Sequence, residues 1–300
     1  MSIDVLAAAL RAASFIAVFQ ATGAALFLSL LGRHLAASAR WTLRLCFHSG
    51  VVALALVAAQ YAVEAGRLGG DVASVADAGL QGIVMRSPLA FAASLKVAGL
   101  ALITLASCRS FHKPIALAGL LATFAAFAMV GHSATHSLAA WLRPALLLHV
   151  AVAAFWFGGL LPLVMAIRME QPSASSRIVD RYSALAIWFV PALFLAGALL
   201  LAVLTRLDPQ TLNLPYGRIL AFKVLAFAVL MAFAALNRYR LAPRLADGRG
   251  IAAGSLIASI CSEIALLATV LAATAVLTTL YSPSSHDASR VIDSGPWSLV

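Results

Sequence analysis

The chain has 300 residues, of which 63% are hydrophobic and only 11% charged, with a mean hydropathy of +0.98. So little charge cannot cover the surface of a soluble domain of this length, which excludes a water-soluble enzyme or nucleic-acid binder despite a net charge of +10. Three cysteines, Cys46, Cys108 and Cys261, are too few and too scattered for a disulfide framework, and none forms a CxxC pair.

The N-terminal stretch MSIDVLAAALRAASF places Asp4 ahead of Arg11 and has neither a basic lead-in nor an A-x-A cleavage site. It reads as the start of a retained span, not a removed signal peptide. Eight apolar runs follow, at 12–32, 44–64, 88–108, 114–132, 144–167, 183–205, 217–236 and 255–280. Each approaches the ~20 residues that cross the hydrocarbon core of a bilayer. None alternates in polarity as barrel strands do, so the predicted class is an all-α polytopic helical bundle with eight transmembrane helices. Pro88, Pro114, Pro144 and Pro215 fall at expected helix starts, where a missing N–H costs little. Pro162 and Pro191 fall within or near the ends of spans and are expected to kink them.

The connections alternate in charge. The first, third, fifth and seventh carry Arg33, Arg40 and Arg44; Arg109 and Lys113; Arg168, Arg177 and Arg181; and Arg238, Arg240, Arg244 and Arg249. The second sets two arginines against Glu64, Asp71 and Asp77. Lys and Arg collect in cytoplasmic loops, so the odd connections are expected inside and both termini outside, in the periplasm. The tail SPSSHDASRVIDSGPWSLV then also faces outward.

Two spans match internally. PLAFAASLKVAGLALI and PYGRILAFKVLAFAVL each carry Pro, then Lys eight residues on, then Val: Pro88 to Lys96 and Pro215 to Lys223. Leu10-Arg11 and Leu142-Arg143 also recur at the starts of spans one and five. The pattern implies a four-plus-four duplication within a single membrane domain, with residues 1–137 as the first half and 138–300 as the second.

Three sets of side chains are candidates for chemistry. Residues 129–149 hold Met129, His132, His136 and His149 around an outward turn. Met129, His132 and His136 would share one face if the helix ran that far, and imidazole with thioether suits copper. The alternative is that His132 and His136 are loop residues near the headgroups and that His149 packs against a backbone carbonyl. Lys96, Lys223 and Glu263 are intramembrane charges, costly unless functional or paired. Counted from the expected helix starts their depths nearly meet, which permits a structural Lys–Glu ion pair or a proton or ion relay. Cys46, Cys108 and Cys261 lie toward the inner face with His48, His112, Met165 and Met169 at similar depth. They could release copper there or simply be small apolar residues. Gly158-Gly159 after Trp156 suggests a close helix contact. No Ser-His-Asp set, HExxH, P-loop or Rossmann pattern occurs in a believable context, so no enzyme activity is expected.

The stretch LLLHVAVAAFWFGGLLPLV (146–164) resembles the "LH…W-x-GG" span of the CopD family, bacterial inner-membrane proteins of copper resistance and uptake. Gly131-His132, Arg181-Tyr182-Ser183, YGRILAFKVLAFAVLMAFAALNRYRLAPRL (216–245) and Glu263 at the opening of the last span agree in order and spacing, so the resemblance is strongest over 131–283. It implies an eight-span copper-homeostasis protein that moves copper from periplasm to cytoplasm, often with the small periplasmic copper-binding protein CopC. The chain has no room for a fused CopC-like domain, so such a partner is expected to be separate. Two rivals remain at this point: a haem-binding electron-transfer protein, since helix-borne histidines also ligate haem iron, and a non-transporting membrane partner of a periplasmic copper protein.

Overall fold

The structure, a computed structural model, describes residues 2–130, 138–205, 215–246 and 250–281. Within them run α1 (Ile3–Leu31), α2 (Ala39–Gly69), α3 (Ala78–Met85), α4 (Pro88–Ala106), α5 (Lys113–Ala128), α6 (Ala139–Met169), α7 (Pro172–Thr205) and α8 (Pro215–Leu236). A π-helical turn (Asn237–Leu241), the short α9 (Ala242–Ala246) and α10 (Gly250–Leu280) complete the described fold. Strands are absent among the described residues, and the polytopic helical bundle expected from the sequence is the architecture found.

Seven of these helices are long and apolar enough to cross a membrane: α1, α2, α4, α6, α7, α8 and α10. The fourth expected span is instead the shorter apolar helix α5, of 16 residues. It stops at Ala128, where the sequence pattern runs on to 132; residues 131–137 lie outside the described set.

Most other helices exceed their apolar windows, reaching 29 residues in α1, 31 in α2, α6 and α10, and 34 in α7. The reason is that helical hydrogen bonding does not depend on apolar side chains, so a helix can run on past the apolar stretch that crosses hydrocarbon. Two sequence expectations change as a result. Pro144 lies inside α6, five residues past Ala139, not at the helix start. Glu263 lies thirteen residues past Gly250, well inside α10 and not at its opening. The second connection also holds a helix the pattern does not reveal, α3, whose N-terminus is capped by Asp77 accepting from the Leu80 N–H at 2.9 Å. Ahead of it, α2 ends on Gly70 at φ 85°, the left-handed closure that glycine adopts freely.

The centre of the bundle is the crossing of α1 and α6. Of the most apolar stretch of each helix, 61% is buried in α1 and 78% in α6, against 11% in α7 and α8. The crossing is made by Gly23 and Gly158: a Cβ on Gly158 would stand 2.3 Å from the Phe19 carbonyl oxygen, and one on Gly23 would stand 2.1 Å from that of Ala154. Small residues let membrane helices meet backbone to backbone, and the Gln20 amide spans this contact by donating to the Gly158 carbonyl at 3.0 Å. A second close pair, Gly99 and Gly119, joins α4 to α5.

Polar clamps close both ends. At the end holding the N-terminus, Glu64 accepts from Arg11 at 3.2 Å and from Arg67 at 2.9 Å, and Arg67 also reaches Asp4 at 3.3 Å. The same guanidiniums donate to the carbonyls of Thr278 and Thr279 in the last turn of α10, where cations complement the helix dipole. At the opposite end, Glu170 follows α6 and folds over the start of α2. Its carboxylate accepts from the N–H groups of Ala36 (2.9 Å), Ala37 (3.2 Å) and Ser38 (2.9 Å), and from the Ser38 hydroxyl at 2.6 Å.

Partial burial pushes the Glu170 carboxyl up, but hydrogen bonds from Ser38, Ala36 and Ala37 outweigh it and leave the group below its ordinary range. A depressed acid stabilises above its unfolded pKa and loses that contribution as pH falls through the folded one. Glu170→Ala is therefore expected to lose about 1–2 kcal/mol at neutral pH, the range for a missing helix cap. Thermal unfolding in detergent as a function of pH checks this: parent and variant should converge below the carboxylate range. A constant gap at every pH would mean the carboxylate charge is irrelevant.

Candidate metal site and buried polar centre

Met129 follows the last residue of α5, is 44% exposed, and turns its N–H back to Ala126. The described part of this segment ends close by, so the shared helical face expected for Met129, His132 and His136 falls largely outside the described residues. His132 and His136 themselves lie outside the described residues, as do Arg249 and the C-terminal tail.

His149 sits on α6, partly buried against α7. Its Nδ1 lies 3.2 Å from the Leu193 carbonyl oxygen. Since a carbonyl only accepts, Nδ1 carries the hydrogen and the Nε2 lone pair is left over. Space for the ring comes from Gly197, where a Cβ would stand 3.1 Å from the imidazole Cε1. The carbonyl packing weighed from sequence is thus present, and it is also the tether by which a metal-ligating histidine is commonly oriented. Lys223 on α8 is an electrostatic neighbour of this ring. Lys96 on α4 instead places its ammonium 4.1 Å from the centre of the Phe127 ring, within an aromatic group completed by Phe15 and Phe19.

The Lys–Glu ion pair that the sequence permitted is not formed. Glu263 is 3% exposed and accepts from the Trp156 indole N–H at 3.2 Å and from the Asn237 side-chain amide. The correction follows from helix length. Lys223 and Asn237 are fourteen residues apart on one nearly continuous helical run, about 21 Å of rise, so a carboxylate level with Asn237 is out of reach of Lys223.

Around Glu263 the structure collects residues scattered along the sequence. Trp156 comes from α6, Asn237 opens the π-helical turn, and Tyr182 on α7 donates to the Trp156 carbonyl at 3.1 Å while packing over Gly159. Among the described residues two buried side-chain polar atoms lack a partner, and both belong here: Asn237 Oδ1, and Ser259 Oγ one helical turn before Glu263. Trp156, Tyr182 and Asn237 all lie in motif strings quoted above without being singled out as site residues. A polar donor inside an apolar helix is the signal that could have marked them.

The three thiols differ in setting. Cys46 is fully buried with its Sγ 3.7 Å from the Ala21 carbonyl, whereas Cys108 and Cys261 are exposed. Among the described residues no three His, Cys, Asp or Glu side chains gather closely enough to hold a metal ion.

These features define a multi-pass helical membrane protein with an apolar crossing at its centre and a buried carboxylate held by neutral donors. Residues 176–277, about a third of the chain, match the CopD family model, copper resistance protein D. The chain is also similar to the inner membrane protein YebZ of Escherichia coli (strain K12), 30% identical over 139 residues. That alignment covers 44% of this chain and 47% of the relative, so the match spans about half the length of the curated protein. No solved structure matches the chain.

Proposed function

We propose that this protein is a copper-homeostasis carrier of a bacterial inner membrane, moving copper from the periplasmic side toward the cytoplasm without covalent chemistry. The CopD match supports the metal, and the observation that carries the assignment to a residue is the tethered ring of His149, with Nδ1 engaged and Nε2 without a partner among the described residues. In this reading copper is the cargo. It is received near Met129, His132 and His136, passes to His149, and leaves by the thiol side, where Cys46, Cys108 and Cys261 are the soft ligands. The ammonium of Lys223 opposes a cation at His149, so occupancy there is expected to be brief, as a carrier requires. A separate CopC-like protein would deliver the metal at the outer surface. The arginine-rich connections would face inward and both termini outward.

The four-plus-four duplication belongs to the same proposal. Its support is the meeting of α1 and α6, the first helices of the two halves, at one glycine apiece, near which a pseudo-two-fold axis would pass.

Copper accumulation in cells expressing the parent, His132→Ala or His149→Ala is the test. Each variant is expected to accumulate severalfold less copper at equal protein level. Uptake equal to the parent in both would remove the outer ligands from the account.

A further inference from the structure

The end of the bundle closed by Glu170 also holds a cluster of positive charge. By accepting from the N–H groups of Ala36, Ala37 and Ser38, Glu170 ties the α1–α2 connection to the turn that opens α7. The tie brings Arg33 and His34, in the short helical turn Gly32–His34, beside Arg177 and Arg181 on α7. These four side chains and Ala174 line a cavity of about 260 Å³. All three guanidiniums are electrostatic neighbours of the His34 imidazole. Arg177 and Arg181 are four residues apart on α7 and so share one helix face.

No acid answers these cations. The ion pairs among the described residues all lie at the other end of the bundle, on Arg11 and Arg67. Glu170 commits its oxygens to backbone N–H groups and the Ser38 hydroxyl, and Asp180 pairs with neither arginine that flanks it on α7. Arg33 Nε donates to His34 Nε2 at 3.1 Å, so Nδ1 carries the imidazole hydrogen and the ring adds a neutral donor. Guanidiniums gathered around one cavity repel each other unless an anion lies between them. Their planar N–H forks match the oxygens of a phosphate two at a time.

A second cavity, of about 310 Å³, adjoins the first at Arg33, which lines both. Its character differs: Leu28, Leu43 and Phe111 line it, together with Arg40. A free phosphate would leave this apolar space unused, whereas a phospholipid fills both cavities.

We propose that Arg33, His34, Arg177 and Arg181 bind the phosphate group of an anionic phospholipid, one acyl chain of which enters the cavity between Leu28, Leu43 and Phe111. A zwitterionic headgroup fits less well, because its ammonium meets the same guanidiniums. Bound there, the lipid bridges the α1–α2 connection to α7, one of the least buried helices of the bundle. The site is independent of whether copper is the cargo and of which end of the bundle faces the cytoplasm.

The experiment is native mass spectrometry of the full-length protein, released from detergent after incubation with phosphatidylglycerol, phosphatidylcholine of the same chains, or inorganic phosphate. The parent is expected to retain phosphatidylglycerol in preference to phosphatidylcholine, and to keep it in excess inorganic phosphate. Arg177→Gln/Arg181→Gln is expected to lower that retention about tenfold, and Arg33→Gln severalfold. These variants alter different elements, so misfolding of one leaves the other as the test. Arg240→Gln/Arg244→Gln, an exposed pair of the same spacing, should match the parent. Equal retention of the two phospholipids, displacement of the lipid by inorganic phosphate, or equal losses in the two arginine pairs would overturn the proposal.

Discussion

Gly158→Leu is expected to abolish the folded bundle. A Cβ at this position would stand 2.3 Å from Phe19 O, 2.7 Å from Gly23 Cα and 3.0 Å from Gln20 O. All three are backbone atoms of α1, so no rotamer change relieves the clash, and the two innermost helices must separate. Overpacking typically costs 1–3 kcal/mol where side chains can adjust. Here they cannot, so a loss of about 3 kcal/mol or more is expected, a large part of the total stability of an ordinary protein. Gly254→Leu is the matched control, because a Cβ there meets nothing within 4 Å. The monodisperse fraction after detergent extraction and the thermal midpoint should fall sharply for the first variant and stay at the parent's values for the second. Two variants behaving alike would show that the α1–α6 contact is not close.

The second large effect is expected at Glu64. Its side chain is 14% exposed and bonds Arg11 and Arg67, which are 16% and 26% exposed. Removing one partner from a buried pair leaves uncompensated charge, at a cost of 3–5 kcal/mol when burial is complete. Partial solvent access reduces this, and about 2–3 kcal/mol is the expectation for Glu64→Leu. Arg11→Leu added to it removes one of the stranded cations and should recover part of the loss. Non-additivity of the two substitutions in thermal unfolding is the measurement, and strict additivity would contradict the clamp.

The fold was legible because bilayer thickness writes itself into sequence: a run of about 20 apolar residues has few alternatives to a helix. What the apolar runs could not convey is where each helix ends. Pro144 looks like a helix start only if the helix begins where the greasy residues do, and α6 begins five residues earlier. The same blindness placed Glu263 near the lysines, when it belongs with Asn237. Glu64 reads as a loop acid by position, and only the extension of α2 to Gly69 turns it inward. Glu170 had no signal at all, because its partners are backbone N–H groups more than 130 residues away. The glycine pair is half legible: Gly158-Gly159 announces a close approach, but nothing local names Gly23 as the other side. At the candidate metal site the sequence offered His149 as either ligand or packed residue. The tether to Leu193 makes those two readings compatible, since engaging Nδ1 leaves Nε2 available.

The most direct measurement is metal analysis, with a visible absorption spectrum, of the purified parent beside the His132→Ala/His149→Ala double variant, both loaded with copper and washed. The proposal predicts copper retained by the parent, lost from the double variant, and no strong Soret band in either. Equal copper in the two proteins, or a Soret band in the parent that the double variant lacks, would contradict it.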